Sequence, residues 1–351
     1  MRGRDLLSMG DLSPGALRLV LDTARGLKAS MGRGRSPSTG SGRTEGEGLR
    51  SAQKGESFGG SETLRFAQGD KPPLAGRVLA LVFEKPSLRT RVSFDVGMRQ
   101  LGGECVYISP QEVGLGTREP VSDVARVLSR YVDCIAARTF AHETVEELAR
   151  WSDVPVINAL SEGEHPCQAL ADLLTIEEHV GRLAGVKLAY VGDGNNVARS
   201  LWLGSALSGV EFRIAAPAGY ELPAEYVSRG EELARESGAS ISQTADPRDA
   251  VSGADVVYTD VWASMGQEEE SERRRKAFAG FQVDESMMKL ANKDAIFMHD
   301  LPAHRGEEVS AEVMEGPQSV VFDQAENRMH AQKAVLSLVL ADDGGEGAPE
   351  D

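Results

Sequence analysis

The chain has 351 residues, 41% of them apolar and 26% charged, a composition that fits a globular protein of about two domains and excludes collagenous, wholly disordered and membrane-spanning classes. No apolar run approaches the ~18 residues that a membrane span needs. The formal net charge of −16 opposes binding to nucleic acid or anionic lipid, so any anionic ligand must be held by a local arginine cluster.

The opening MRGRDLLSMGDLSPG lacks the apolar stretch of a secretory leader, and a cytoplasmic location is expected. Cys105, Cys134 and Cys167 are odd in number and show no CxxC spacing, which suggests reduced thiols rather than a disulfide framework or a zinc site. Residues 5–28 read as a helix with Ser13 as cap, Pro14 in the first turn and Leu17, Val20, Leu21, Ala24 and Leu27 on one face. Residues 30–71 are rich in Gly, Ser, Arg and Glu and have no period; a disordered insertion is expected there, as is a disordered acidic tail over 341–351.

From Gly76 the pattern alternates. The runs RVLALVF, GECVYI, CIAART and VPVINA are separated by helical stretches; after a helix near Pro166–Val180 the strands VKLAYVG, EFRIAAP, ASISQ, ADVVYTD and AIFMHD follow, and a last apolar helix spans Asn327–Leu340. This alternation predicts an α/β protein of two doubly wound domains, each with a central parallel sheet flanked by helices, linked by interdomain helices. The first domain comprises 1–29 and 72–165, completed by the helix 327–340, and the second 166–326. Ligands of such folds bind beyond the carboxyl ends of the strands, here after Phe83, Ala137, Asn158, Val191, Tyr258 and Met298.

After the first strand, Glu84-Lys85-Pro86-Ser87-Leu88-Arg89-Thr90-Arg91 runs into a helical pattern. Unpaired N–H groups at a helix start, two hydroxyls and arginine forks would cradle a phosphate, although a plain Ser87 cap with solvated arginines fits the same letters. The GxxxxGK[ST] spacing of a P-loop is missing. Arg138 ends a buried strand and needs an anionic partner, either a ligand or a structural carboxylate. His165 and Gln168 open the next helix, as caps or as ligands. Gly192-Asp193-Gly194-Asn195-Asn196-Val197 resembles a dinucleotide fingerprint but has Val197 where the third glycine is needed, and no ribose-binding acid follows EFRIAAP. Asp260 and Ser264 follow another strand, and His299, Asp300 and His304 follow the last, without a zinc spacing.

Taken in order, FEKPSLRTRVSF, Arg138, HPCQALADLLTI, GDGNN, DVWASMGQE, HDLPAHRGEE and ENRMHAQKAV resemble ornithine carbamoyltransferase from Asp5 to about Leu340, with 30–71 outside the resemblance. The resemblance implies transfer of the carbamoyl group of carbamoyl phosphate to the δ-amine of L-ornithine, with citrulline and phosphate as products. It implies no metal or organic cofactor and a homotrimer, or a multiple of trimers, in arginine metabolism. By the same resemblance Ser87, Leu88 through its N–H, Arg89, Thr90 and Arg138 hold the phosphate. His165, Arg138 and Thr90 polarise the carbamoyl oxygen, and Gln168 with the carbonyls of Leu301 and Arg328 orients the carbamoyl amide. Asn196, Asp260, Ser264 and Met265 receive ornithine, with Asp260 orienting the amine. The chemistry is coherent, since attack on a trigonal carbon builds an oxyanion that preorganised donors stabilise, and holding two substrates together lowers the entropic barrier.

Three positions depart from the family's pattern. Leu88 replaces a Thr, Asp300 replaces the Cys of His-Cys-Leu-Pro, and Gly114 stands where relatives extend a polar side chain into a neighbouring subunit. An ionised Asp300 beside Asp260 is expected to hold an ammonium more strongly and to shift the pH optimum. The loop DVWASMG favours ornithine over putrescine or aspartate as acceptor. An N-acylated ornithine, putrescine and a non-catalytic binding paralogue are the alternatives; Arg89, His165 and Asp260, which such a paralogue would be expected to lose, are all retained.

Overall fold

The computed structural model describes residues 1–30, 72–263 and 270–340. Of the insertion expected over 30–71, Ser30 instead ends a helix, and 31–71, like the tail 341–351, Ser264 and Met265, lie outside the described residues. The helix expected over 5–28 is shorter: Met9–Asp11 form a 3-10 turn capped by Ser8, and α1 spans Pro14–Ser30. Pro14 has a fixed φ and no N–H to pair, which suits the first turn and ends the non-helical entry. Ser13 Oγ accepts from Ala16 N at 3.1 Å as expected of a cap. Upstream, Leu6 lies extended, its N–H on Val156 O at 2.9 Å and its carbonyl accepting from Asn158 N at 2.8 Å, so it covers what would otherwise be an open sheet edge.

The first unit contains β1 (Val78–Phe83), α2 (Leu88–Gln100), β2 (Glu104–Ile108), α3 (Pro110–Val113), α4 (Val121–Leu128), β3 (Cys134–Arg138), α5 (His142–Trp151) and β4 (Val156–Leu160). Its parallel sheet has the order β2-β1-β3-β4. α6 (Pro166–Val180) leads into β5 (Lys187–Val191), α7 (Asn196–Ser208), β6 (Glu211–Ala215), α8 (Ala224–Ser237), β7 (Ile241–Thr244), α9 (Pro247–Val251), β8 (Val256–Thr259), α10 (Ser271–Ala277), α11 (Glu285–Met288), β9 (Ile296–Met298), α12 (Ala311–Met314) and α13 (Val321–Leu340). The second parallel sheet has the order β7-β6-β5-β8-β9. Both sheets and their strand segments follow the alternation read from the letters: the central strands β1, β3, β5 and β8, covered on both faces, are almost wholly apolar, while the edge strands β2 and β7 are partly exposed. The last helix starts six residues earlier than expected, at Val321 rather than Asn327, with Asp323 in its first turn where the helix dipole favours an acid.

One continuous apolar core joins the sheets through α1, α6, α7 and α13, with Leu170, Leu173, Ala331 and Val335 among its buried members. Each sheet reverses its strand order once, between β1 and β3 in the first and between β5 and β8 in the second. A crevice opens at such switch points beyond the strand ends, and four segments meet there: those following β1, β3, β5 and β8. Gly194, in the turn after β5, has no room for a Cβ, which would stand 2.6 Å from the carbonyl of Glu221.

Candidate active site

A cavity of about 920 Å³ lies at these strand ends, wide enough for two small ligands side by side. One wall is cationic. Ser87 caps α2, its Oγ accepting from Thr90 N at 3.3 Å and lying 3.0 Å from Thr90 Oγ1, so the first turn of that helix, with Leu88 and Arg89, opens toward the cavity. The cap and the cradle are thus one structure: the cap shapes the helix start that an anion would use. Arg138 is the last residue of β3, at a register shift where it pairs with Leu160, and such an irregularity turns its side chain out of the sheet toward the cavity. Lys85 also lines the wall, its Nζ 4.9 Å from the centroid of the Phe140 ring.

Arg89, Arg138 and Arg328 each bury an Nε with no hydrogen-bond partner among the described residues. Burial and the neighbouring Arg328 lower the pKa of Arg138 to about 10, and burial together with Arg138 lowers that of Lys85 to about 8. Four cations crowded together with unused donors form an assembly that an anion would relieve.

His165 caps the start of α6, its backbone N–H donating to Ser200 Oγ at 2.9 Å. Burial, followed by Arg328, Arg138 and Lys85, holds the imidazole well below the ordinary histidine range, so it is neutral. Arg328 Nη2 lies 3.3 Å from His165 Nε2 and donates to Thr90 Oγ1 at 2.9 Å. A guanidinium only donates, which makes Nε2 the acceptor and leaves the proton on Nδ1, a buried donor without a partner among the described residues. Beneath His165, the Glu164 carboxylate accepts from Met9 N and Ser200 Oγ, both at 2.9 Å, and from Ser8 Oγ. Glu164→Ala leaves two buried donors and one half-buried donor unanswered and is expected to cost about 2–4 kcal/mol in urea unfolding, with Glu164→Gln costing less.

The opposite wall is acidic and amidic. Asn195 caps α7, accepting from Val197 N and Ala198 N, and its Nδ2 donates to Asp260 Oδ2 at 2.6 Å. Asn196 follows, its Nδ2 on Ser161 O at 2.7 Å. Asp260 Oδ1 accepts from Val261 N at 2.7 Å, the Asp-initiated turn that the letters allowed, while its side chain also faces the cavity. Carboxylate oxygens of Asp260 and Asp300 and a ring nitrogen of His299 lie within 4.8 Å of one another. Both His299 nitrogens are committed: Nδ1 accepts from Leu301 N at 2.9 Å and Nε2 pairs with Glu308 at 3.2 Å. Burial, then the charge of Asp300, pushes Asp260 well above the ordinary carboxylate range, and burial raises Asp300 as well.

Of the residues singled out from sequence, Ser87, Leu88, Arg89, Arg138, His165, Asn196, Asp260, Asp300, Leu301 and Arg328 all line this one cavity. Thr90 and Gln168 do not; both are fully buried, Thr90 held by Arg328 and Gln168 by Asp172. Arg328 lies within α13, its guanidinium donating to Thr90 Oγ1 beside His165. Ser264 and Met265 lie outside the described residues. Gly114 ends α3 in the left-handed region at φ 49°. Lys85 escapes the sequence reading, although its place after β1 is signal enough; Glu164 and Asp172 sit next to or inside a helical run with no such signal.

The description "Aspartate/ornithine carbamoyltransferase, carbamoyl-P binding domain" belongs to a family model that matches residues 4–178, and the corresponding Asp/Orn binding domain matches residues 184–339. Ornithine carbamoyltransferase of Acidothermus cellulolyticus is 57% identical over 278 residues, covering 79% of this chain and 89% of the relative. That of Halalkalibacterium halodurans is 47% identical over 340 residues, or 97% and 96% of the two chains. Among solved structures, the ornithine carbamoyltransferase of Pyrococcus furiosus superposes with a TM-score of 0.84 at 47% identity, covering 97% of each chain. The chain belongs to the aspartate/ornithine carbamoyltransferase family.

Proposed function

We propose that the protein transfers the carbamoyl group of carbamoyl phosphate to the δ-amine of L-ornithine, releasing L-citrulline and phosphate, within arginine metabolism. One observation carries this reading: a cationic wall with unused donors faces a wall of paired carboxyls and amides across a single cavity. The α2 start, Arg89, Arg138 and Arg328 hold the phosphate. His165 Nδ1–H and Arg138 donate to the carbamoyl oxygen, where negative charge grows as the neutral amine attacks the carbon. The C–O bond to phosphate then breaks, the phosphate keeps the electron pair among the arginines, and the proton of the attacking nitrogen passes to the departing phosphate, which leaves as hydrogen phosphate. Asp260 and Asp300 orient the amine, Asn196 with Ser264 and Met265 receives the rest of ornithine, and Gln168 with the carbonyls of Leu301 and Arg328 aligns the carbamoyl amide.

We further divide the chain into a carbamoyl-phosphate unit of 1–29 and 72–165, closed by 327–340, and an ornithine unit of 166–326. A homotrimer is supported by the exposed apolar row Leu88, Val92 and Val96 along α2, which starts at the cavity with Leu88. A cytoplasmic setting is supported by three free cysteines and by the absence, among the described residues, of a helix long and apolar enough to cross a membrane. The test is a colorimetric assay for carbamoylated product with carbamoyl phosphate and a panel of ornithine, putrescine, N-acetylornithine and aspartate. Turnover with ornithine above the others is expected; preference for another amine, or none, would overturn the assignment.

A further inference from the structure

Asp172, one turn after Gln168 on α6, is fully buried and has no role in the scheme above. Its Oδ1 accepts from Gln168 Nε2 at 2.8 Å and from Gln324 Nε2 at 2.7 Å, and its Oδ2 accepts from the Tyr258 hydroxyl at 3.2 Å. At its other end, Gln324 Oε1 accepts the backbone N–H of His299 at 2.9 Å. A carboxylate only accepts, so the end of each glutamine amide that faces it is the amino group. For Gln324 the orientation is fixed twice over, because the His299 N–H can only donate. Gln168 is therefore left with Oε1 as a buried acceptor without a partner among the described residues.

We propose that Asp172 is a positioning residue that fixes which end of the Gln168 amide is free: Gln168 stands behind the lining of the ligand-free cavity, and substrate entry brings the carbamoyl amino group onto its carbonyl oxygen, not onto an amino group. The inference rests on the function proposed above. Without the carboxylate, the amide would present either end, and its amino end would confront the substrate's own N–H donors. The same Oδ1 also binds Gln324, which holds the backbone at His299, two residues before Leu301. Asp172 thus ties the residue that reads the carbamoyl amide to the loop that carries Asp300. Burial pushes Asp172 up to about 7, against the pull of Gln168, Gln324, Tyr258 and Arg328. A proton on Oδ2 would leave Oδ1 accepting from both glutamines, so the orientation survives either protonation state.

The experiment compares two phosphonates by titration calorimetry: phosphonoacetamide, which carries a primary amide, and acetonylphosphonate, the methyl ketone in which a methyl group replaces the amide nitrogen. The two differ only in the group that Gln168 and the Leu301 carbonyl would read. The wild-type protein is expected to bind the amide at least ~10-fold more tightly, the worth of one buried hydrogen bond. In Asp172→Ala that preference is expected to fall below about 3-fold while affinity for the methyl ketone, a check on fold and phosphate site, stays within about 3-fold of wild type. Asp172→Ser, whose hydroxyl is too short to reach Gln168 but leaves room for water, gives the same reading should the alanine variant not fold. Asp172→Asn, whose amide oxygen can still accept, is expected to keep the preference. An unchanged preference in the Ala or Ser variant, or a wild-type protein that does not prefer the amide, overturns the assignment to Asp172. Failure of the wild-type protein to bind either phosphonate would instead strike at the proposed function itself.

Discussion

Arg138→Met is expected to lower kcat/KM for carbamoyl phosphate by about 10³, roughly 4 kcal/mol of transition-state stabilisation, while leaving the ligand-free protein at least as stable as wild type. The two halves of this expectation share one cause. Arg138 is 9% exposed and shares the wall with Lys85, Arg89 and Arg328, and its own pKa is lowered first by burial and then by Arg328. In the empty site its charge is a liability, and methionine removes that charge while keeping most of the apolar stem. With substrate bound the same charge faces a phosphate and a growing oxyanion in a place poor in water, where it is worth most. Steady-state kinetics and thermal melts with and without inorganic phosphate separate the effects. The wild-type melting temperature should rise with phosphate and that of the variant should rise less, because only binding to the folded state stabilises it. Lost activity accompanied by a lower melting temperature without phosphate would mean that Arg138 serves the fold instead.

How much of the fold and site is legible in the sequence depends on whether a residue's role is local. The strands are readable because β1, β3 and β5 are buried along almost their whole length and so are written in apolar letters. Arg138, Asp260 and Asp300 are readable because each interrupts such a run at its carboxyl end, where a polar residue signals a site. Glu164 and Asp172 are not. Their partners, Ser8 and Gln324, lie 156 and 152 positions away, and nothing local distinguishes a buried acid that accepts from distant donors from one that faces solvent. The start of α1 departs from the expected one for a related reason, since the segment before Pro14 is drawn out along β4 by contacts with Val156 and Asn158 that its own letters do not encode.

Asp300→Cys is expected to move the acid limb of the pH profile of kcat/KM for ornithine to lower pH and to raise KM for ornithine about 10-fold at neutral pH, about 1.4 kcal/mol. Asp260 is raised well above the usual carboxylate range by burial first and by the charge of Asp300 second, and Asp300 is itself raised by burial. Two carboxyls this close titrate as a unit, and the pair keeps a proton to a higher pH than an isolated carboxyl would. A neutral thiol removes the second cause but not the first, so Asp260 ionises earlier on the acid side while the amine loses one of the two carboxyls that face it. The sign of the stability effect follows from linkage. A carboxyl with a raised folded-state pKa is ionised in the unfolded chain while still protonated in the folded one. Its stabilising share is therefore largest in acid and is lost as pH rises through the ordinary carboxylate range toward the folded value. Wild type should accordingly lose more stability than Asp300→Cys between about pH 5 and pH 8 in urea titrations. Superposable kinetic profiles and parallel stability curves would show that Asp300 and Asp260 do not share a proton.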